Sequence, residues 1–200
     1  MKQPTEEMTG KVLWHVTMSL DGFIAGPDDG MDWIARFADP NPVVDQVIQT
    51  TGAVLSGRRS YNVGRKPGLP PEYRKVFGGA WNGPVFVLTH HAPDDEEDAT
   101  ITFLSGDIRS AVATGLRAAE GKNLLIIGAS LARQCIEAGL IDEILVHVAP
   151  ILLGDGVHFF ARKASEQVAL ETIAVSRAGQ LTNLRFRVRK ASTEATGGLF

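Results

Sequence analysis

The sequence predicts a single α/β domain, with three layers around a mainly parallel β-sheet whose C-terminal strands are antiparallel. Segments that favour strands alternate with segments that favour helices along most of the chain, and two strand-like segments follow one another at its end. The length of 200 residues is enough for one domain with a sizeable core and short for two. We expect this domain to span residues 11–190, between disordered ends at residues 1–10 and 191–200.

Composition and charge narrow the classes of function. Hydrophobic residues make up 44% of the chain and charged residues 22%, as in an ordinary globular domain. The formal net charge of −3 gives no general attraction to nucleic acid or anionic lipid, so we expect neither as a partner. The single cysteine and five histidines show no zinc-motif spacing, so no metal site is expected. Without a secretory or membrane-length apolar segment, the sequence predicts a cytoplasmic protein.

Apolar runs and turn residues predict the elements of the first half. The run KVLWHVTM is rich in β-branched and aromatic residues, which favours a strand before a polar loop. Val43, Val44, Val47 and Ile48 recur at helical spacing, and Gly52 ends that helix. In order, these elements are a strand at 11–18, a helix between Pro42 and Gly52, a strand at 53–56, a helix at 58–63, a proline- and glycine-rich connection at 66–84, and a strand at 85–88.

The second half is predicted in the same way. The continuous apolar run at 124–127 is typical of a strand buried on both faces. Asp107 is a suitable N-cap for a helix, and Gly121 and Gly139 are suitable helix ends. Apolar and polar positions alternate in the last two strands, which favours an antiparallel pair. The elements are a strand at 101–104, a helix at 107–119, a strand at 123–127, a helix at 130–138, and strands at 144–148, 168–175 and 181–188.

Two predicted strand-to-helix junctions have the chemistry to hold phosphate. At the first, Gly57 permits close backbone approach, and Arg58, Arg59 and Ser60 follow in the first helical turn. Unpaired amides and the helix dipole favour an anion there, and guanidinium groups add charge-assisted hydrogen bonds. The alternative is that both arginines are exposed helix residues without a ligand.

The second junction is Gly128-Ala129-Ser130, where Ser130 either caps the helix or contacts a ligand. Thr89 and His90 end a strand that should reach the same edge of the sheet. A dinucleotide needs more than one phosphate-holding backbone at one sheet edge, so the two junctions together predict a dinucleotide site. The first loop, from Thr17 through Ser19 and Asp21, brings hydroxyls and a carboxylate towards this edge. Trp33 beyond it either lines a pocket for a flat heterocycle or belongs to the core.

Four sequence blocks, in order, resemble the dihydrofolate reductase superfamily. They are SLDGFIA at 19–25, LSGRRSY at 55–61, PVFVLTH at 84–90 and LLIIGASLARQCIEAGLIDEILVHVAPILLGDGVHFF at 124–160. The resemblance is closer to the branch that contains the reductase domain of bifunctional riboflavin-biosynthesis enzymes and its stand-alone relatives, and it covers about residues 11–190. It implies a dihydrofolate-reductase-like fold, NADPH as cofactor, a homodimer, and a small heterocyclic substrate such as 5-amino-6-(5-phosphoribosylamino)uracil.

The same resemblance implies roles for particular residues. It assigns Arg58 to the 2′-phosphate of NADPH, and Asp21 and Ser19 to catalysis in the loop that covers the nicotinamide. The remaining cofactor-binding residues that it implies are Gly57, Ser60, Thr89, His90, Gly128, Ala129, Ser130 and Leu131, and the chemistry of the first junction adds Arg59. The resemblance also assigns Gly154, Asp155 and Gly156 to a turn that borders the substrate pocket. Thr17 and Trp33, in and beside the first loop, complete the predicted substrate-binding residues.

Two alternatives remain at this point. One is a dihydrofolate or other pterin reductase, although Asp45 on the first helix lies beside its apolar face rather than on it. The other is a non-catalytic nucleotide-binding protein with the same fold. The turn at Gly128 would suit this second alternative, because it has one glycine where family members often carry two or three.

Overall fold

The computed structural model describes residues 10–94, 96, 98–161 and 167–190. Apart from Gly10, the disordered ends predicted at 1–10 and 191–200 lie outside the described residues. The strands are β1 (Val12–Ser19), β2 (Phe23–Ala25), β3 (Thr51–Gly57), β4 (Val85–Leu88), β5 (Ile101–Leu104), β6 (Asn123–Ile127), β7 (Glu143–Ala149), β8 (Val157–His158), β9 (Leu170–Ala178) and β10 (Leu181–Val188). The α-helices are α1 (Pro42–Thr50), α2 (Arg58–Val63), α3 (Ile108–Ala118) and α4 (Ala129–Glu137).

Eight strands form one sheet in the order β5-β4-β3-β6-β1-β7-β10-β9. The strands from β5 to β7 in this order pair in parallel, whereas β10 pairs antiparallel with both β7 and β9. The predicted sheet, mainly parallel with antiparallel C-terminal strands, is therefore confirmed. A separate antiparallel pair of β2 and β8, which the sequence did not predict, joins the first loop to the segment after β7.

Alternation along the strands divides the core into two layers. On β1, Val12 and Trp14 belong to the cluster that includes α3 and α4, and Trp14 stacks on Phe159 with ring centroids 4.4 Å apart. The next residue on the strand, Leu13, faces the opposite way and packs with Val47 of α1. The buried Cys135 of α4 lies in the first of these clusters. The sheet is thus covered on both faces, as the three-layer prediction requires.

The helix starts follow from local chemistry. Asn41 is the N-cap of α1 and accepts a hydrogen bond from the backbone N–H of Val43. Asp107 caps α3 by accepting from the N–H groups of Arg109 and Ser110, as predicted. By contrast, Ser130 does not cap its helix, which was one of the two roles that the sequence left open for it. That helix begins one residue earlier, at Ala129, and its N-cap is Gly128.

Candidate active site

A cavity of about 1250 Å3 lies at the carboxyl ends of β1, β3, β4 and β6. Its floor is the sheet face that also carries α1, and Val54 and Val87 contribute to it. Phe77 and Trp81, in the connection between α2 and β4, form part of its wall. The indole N–H of Trp81 donates to the carbonyl of Thr51 at 3.0 Å, which fixes this connection to the sheet. The cavity has the location expected for a ligand site in an open α/β sheet.

The two predicted phosphate junctions meet at this cavity because β3 and β6 are neighbouring strands. Gly128 has a φ of 101°, and a Cβ atom at this position would lie 2.5 Å from Ser60 Oγ. Both the backbone conformation and the close approach therefore require glycine. All ten predicted cofactor-binding residues line this one cavity: Gly57, Arg58, Arg59, Ser60, Thr89, His90, Gly128, Ala129, Ser130 and Leu131.

The two arginines of the first junction have different partners. Arg58 donates from Nε to Asn62 Oδ1 at 2.9 Å and from Nη1 to the carbonyl of His91 at 2.6 Å. Its remaining nitrogen, Nη2, has no hydrogen-bond partner in the part of the chain that the structure describes. Arg59 instead forms an ion pair with Asp29, with an Nε to Oδ1 distance of 2.6 Å. The loop that contains Asp29 thus reaches across to α2.

A cluster around Tyr61, which is not among the predicted site residues, supports the outer side of α2. The Tyr61 hydroxyl donates to Glu96 at 2.6 Å, and Arg65 pairs with the same carboxylate at 2.5 Å. The Arg65 guanidinium also lies 3.8 Å from the centre of the Tyr61 ring. Burial, followed by the hydrogen bond to Glu96, raises the pKa of Tyr61 to about 12. This cluster holds the helix that carries Arg58.

Ser19 and Asp21, predicted to be catalytic, lie outside the cavity lining. Ser19 Oγ donates to Asp21 Oδ1 at 2.5 Å and accepts from the Phe23 N–H at 2.9 Å. Asp21 accepts from the backbone N–H groups of Leu153 and Gly154, at 3.0 and 2.7 Å. The Ser19 hydrogen bond, and then these backbone groups, lower the pKa of Asp21. In this structure both side chains hold the segment after β7 against the first loop, and their catalytic assignment stays a prediction.

Of the predicted substrate-binding residues, only Thr17 lines the cavity. Trp33 is 6% exposed and packs against Ala149 and Leu181, so it belongs to the core, the other possibility left open by the sequence. Gly154, Asp155 and Gly156 form the turn before β8 and also lie outside the lining. A Cβ on Gly156 would lie 2.0 Å from the carbonyl oxygen of Ala25, so its glycine permits the contact of β8 with β2.

His15 also lines the cavity, although it is not among the site residues predicted from the sequence. Its Nε2 lies 2.7 Å from Nε2 of His147, whose side chain is 1% exposed. Burial, followed by the neighbouring His147, lowers the pKa of His15 to about 3. Position along β1 could have identified it, because His15 is two residues from Thr17 and shares its side of the strand. Asp45, by contrast, is exposed and outside the lining.

The fold and the position of this cavity define an α/β protein of the dihydrofolate reductase type. The structure superposes on dihydrofolate reductase from Enterococcus faecalis, complexed with NADP(H) and RAB-propyl, with a TM-score of 0.55 and 17% identity over 91% of this chain and 98% of that one. Within this fold type, the chain belongs to the RibD C-terminal domain family, whose sequence model matches residues 10–184. This confirms the resemblance found in the sequence.

Two further proteins are similar to nearly the whole chain. The uncharacterized protein YwjB of Bacillus subtilis (strain 168) is 27% identical over 184 residues, which are 90% of this chain and 98% of YwjB. A structure from Shewanella sp. PV-4, of a protein named for riboflavin biosynthesis, has a TM-score of 0.70 and 23% identity, covering 90% of this chain and 99% of that one. Among the described residues, no helix has the length and hydropathy needed to span a membrane.

Proposed function

We propose that this protein is an NADPH-dependent reductase of a small ribosylated heterocycle, with 5-amino-6-(5-phosphoribosylamino)uracil as the first substrate to test. The observation that carries this proposal is the convergence of the ten cofactor residues on a single cavity. Membership of the RibD C-terminal domain family supports the substrate class. The exposed position of Asp45 offers no acid on α1 for a pterin and so does not favour dihydrofolate.

The chemistry of the cavity fits a nicotinamide dinucleotide. Neither Gly57 nor Gly128 forms a side-chain cap in the described structure, so the first amides of α2 and α4 are available for phosphate oxygens. Arg58 Nη2, which has no hydrogen-bond partner among the described residues, is available for a further phosphate contact, which fits a 2′-phosphate. The close approach of Ser60 to Gly128 brings its hydroxyl to the same position. These residues would hold the cofactor through its phosphates.

In the proposed reaction, bound NADPH supplies the hydride, and the chain binds, orients and shields the reactants. The apolar floor formed by Val54 and Val87 and the aromatic wall formed by Phe77 and Trp81 exclude water from the space beside the cofactor residues. His15 and Thr17 are the polar groups of β1 that line the same floor. They are therefore the first candidates for contact with a polar heterocycle.

Titration of the full chain with NADPH and NADH, followed by fluorescence, tests the cofactor proposal. We expect tighter binding of NADPH, and we expect Arg58→Ala to reduce that preference by about tenfold or more, since a charge-assisted hydrogen bond contributes about 1.5–3 kcal/mol. Arg133→Ala is a matched control, because Arg133 pairs with Glu137 at 2.8 Å and does not line the cavity. Equal binding of the two cofactors by the unmodified protein would contradict the proposal.

Oxidation of NADPH in the presence of 5-amino-6-(5-phosphoribosylamino)uracil or of dihydrofolate tests the substrate class. We expect turnover of the first compound and not of the second. Tight NADPH binding without turnover of either would instead indicate a nucleotide-binding protein that does not catalyse reduction.

We further propose that the protein acts in the cytoplasm as a homodimer, with β9, an edge strand of the sheet, in the interface.

A further inference from the structure

A chain of buried polar side chains runs from the start of α1 to the floor of the cavity. Asn41, the N-cap of α1, donates from Nδ2 to Asn183 Oδ1 at 3.0 Å. The same Asn183 oxygen lies 2.6 Å from His147 Nδ1, and His147 Nε2 lies 2.7 Å from His15 Nε2. Asn41, His147 and Asn183 are all less than 9% exposed, so water does not compete for these hydrogen bonds.

The direction of each hydrogen bond follows from one backbone group. The N–H of Val43 can only donate, so the Asn41 atom that it contacts at 3.1 Å is Oδ1. The other atom of that amide is therefore Nδ2, a donor, and the Asn183 atom opposite it must be the oxygen. An amide oxygen can only accept, so His147 carries its proton on Nδ1.

The tautomer of His15 follows from that of His147. A neutral His147 with its proton on Nδ1 has only a lone pair on Nε2, so the proton in the contact between the two rings must belong to His15 Nε2. His15 Nδ1 is then an acceptor, and it has no hydrogen-bond partner among the residues that the structure describes. The ring lines the cavity, with its centroid 5.6 Å from that of Phe77.

We propose that His15 Nδ1 determines substrate specificity by accepting a hydrogen bond from an N–H group of the substrate heterocycle. Asn41, His147 and Asn183 are positioning residues that hold His15 in this tautomer. The inference rests on the proposed function for the class of ligand only. A site with a fixed, neutral acceptor favours amino- and imino-bearing rings, and it disfavours analogues that lack such a donor, because the acceptor is then left unpaired.

Nitrogen-15 NMR of the histidine side chains in the full chain tests the tautomer without any ligand. We expect proton coupling at Nε2 of His15 and at Nδ1 of His147, with Nδ1 of His15 unprotonated at neutral pH. Titration with 5,6-diaminouracil in the presence of NADP+ should then shift the His15 Nδ1 resonance, and 1,3-dimethyluracil, which has no N–H group, should not. A proton on His15 Nδ1 in the free protein would overturn the inference.

Substitution of Asn183 separates positioning from packing. Asn183→Leu removes the acceptor for His147, so we expect mixed tautomers at both histidines and a loss of about tenfold in the preference for 5,6-diaminouracil over 1,3-dimethyluracil, the value of one hydrogen bond. Asn183→Gln keeps a neutral amide oxygen as the acceptor and should restore both. Ser176→Ala is the control, since Ser176 contacts the opposite end of the Asn183 amide, from Nδ2 to Oγ at 3.1 Å.

Failure of this inference is distinguishable from failure of the proposed function. If 5,6-diaminouracil does not bind, or binds without changing the His15 Nδ1 resonance, then His15 does not accept a hydrogen bond from the heterocycle. This conclusion would hold even if the protein oxidises NADPH. Absence of NADPH oxidation with every substrate would overturn the proposed reaction. It would leave the tautomer and the Asn183 variants as independent results.

Discussion

His15 and Thr17 reach the floor of the cavity because they lie two residues apart on β1. The sequence shows that two residues of a strand two positions apart lie on the same face. It does not show the partner of His15, since His147 is 132 residues away in the chain. Asp21 gives the opposite case. Its position in a motif of the resembling family indicated a functional carboxylate, whereas the three groups that donate to it here are the Ser19 hydroxyl and the backbone N–H groups of residues 153 and 154.

The paired histidines should make stability depend on pH. In the unfolded chain both imidazoles gain protons below about pH 6.5, whereas in the folded protein the pKa of His15 is about 3 and that of His147 is also lowered. The unfolded state therefore binds more protons in this range, and the free energy of unfolding falls as pH drops below 6.5, by at most about 1.4 kcal/mol per pH unit for His15.

Urea denaturation between pH 5 and 7.5 measures this slope. His15→Gln should flatten it, and the same substitution at the exposed His158 controls for the change of side chain. An unchanged slope in His15→Gln would show that His15 is not held neutral. The lowered pKa values of Asp21 and Glu143 act in the same direction only at lower pH, so they do not confuse the measurement.

Asp21→Asn tests whether this carboxylate supports the structure or the reaction. Asparagine loses one of the two acceptor oxygens that bind the Ser19 hydroxyl and the N–H groups of Leu153 and Gly154. We expect a lower melting temperature and an unchanged kcat for the folded protein, as measured by thermal unfolding and NADPH oxidation. A large loss of kcat without a loss of stability would instead show that Asp21 takes part in the reaction.

Among the elements, the two strand-to-helix junctions were predictable because each has a glycine followed by a serine, which carries conformational information, and the first adds two arginines, which carry electrostatic information. Their contact was not, since it depends on β3 and β6 being neighbours, although α2 and α4 start 71 positions apart in the chain, at Arg58 and Ala129. The pairing of β2 with β8 was also not predicted. Its strands have three and two residues, too few for a period to be visible.

Gly128→Ala should damage the second junction more than the backbone conformation alone explains. An L-residue at a φ of 101° is strained by about 1–3 kcal/mol, and the new methyl group would also meet Ser60 Oγ. Gly139→Ala is the matched control, because Gly139 has a φ of 69° but no atom within 4 Å of the added Cβ. Urea denaturation should show a loss of stability in both variants, and NADPH titration a loss of affinity in Gly128→Ala only. Equal affinity losses would contradict a specific role for the Gly128 turn.

At the scale of the whole molecule, the layer order and the parallel sheet were predicted because hydrophobic periodicity determines which elements are strands and which faces are buried. The order of the strands in the sheet and the residues that meet at the cavity depend on contacts between distant parts of the chain, which periodicity does not reveal. The two possibilities for Trp33 could not be separated from the sequence, because proximity to the first loop does not fix the direction of a side chain, which here packs against Ala149 and Leu181. The sheet also leaves the apolar residues Leu170, Ile173 and Val175 of β9 exposed.

An exposed apolar edge strand favours association with a second copy of the chain. We expect sedimentation to show a dimer, and Val175→Lys to weaken it by more than about tenfold, since a charge in an apolar interface costs more than about 1.4 kcal/mol. Leu152→Lys is the control, because Leu152 is an exposed apolar residue that does not belong to β9. A monomer at all concentrations would contradict the proposed interface.

The single cysteine of the chain lies on α4 and can be used to follow the opening of that helix. Cys135 is fully buried, and burial raises the pKa of its thiol to about 12, so a thiol reagent can modify it only when α4 separates from the sheet. The labelling rate of the unmodified protein therefore measures how often this helix opens. Because the same helix begins at the Gly128 turn, a dinucleotide that binds there should slow the labelling, which would reveal binding and helix stability in a single time course.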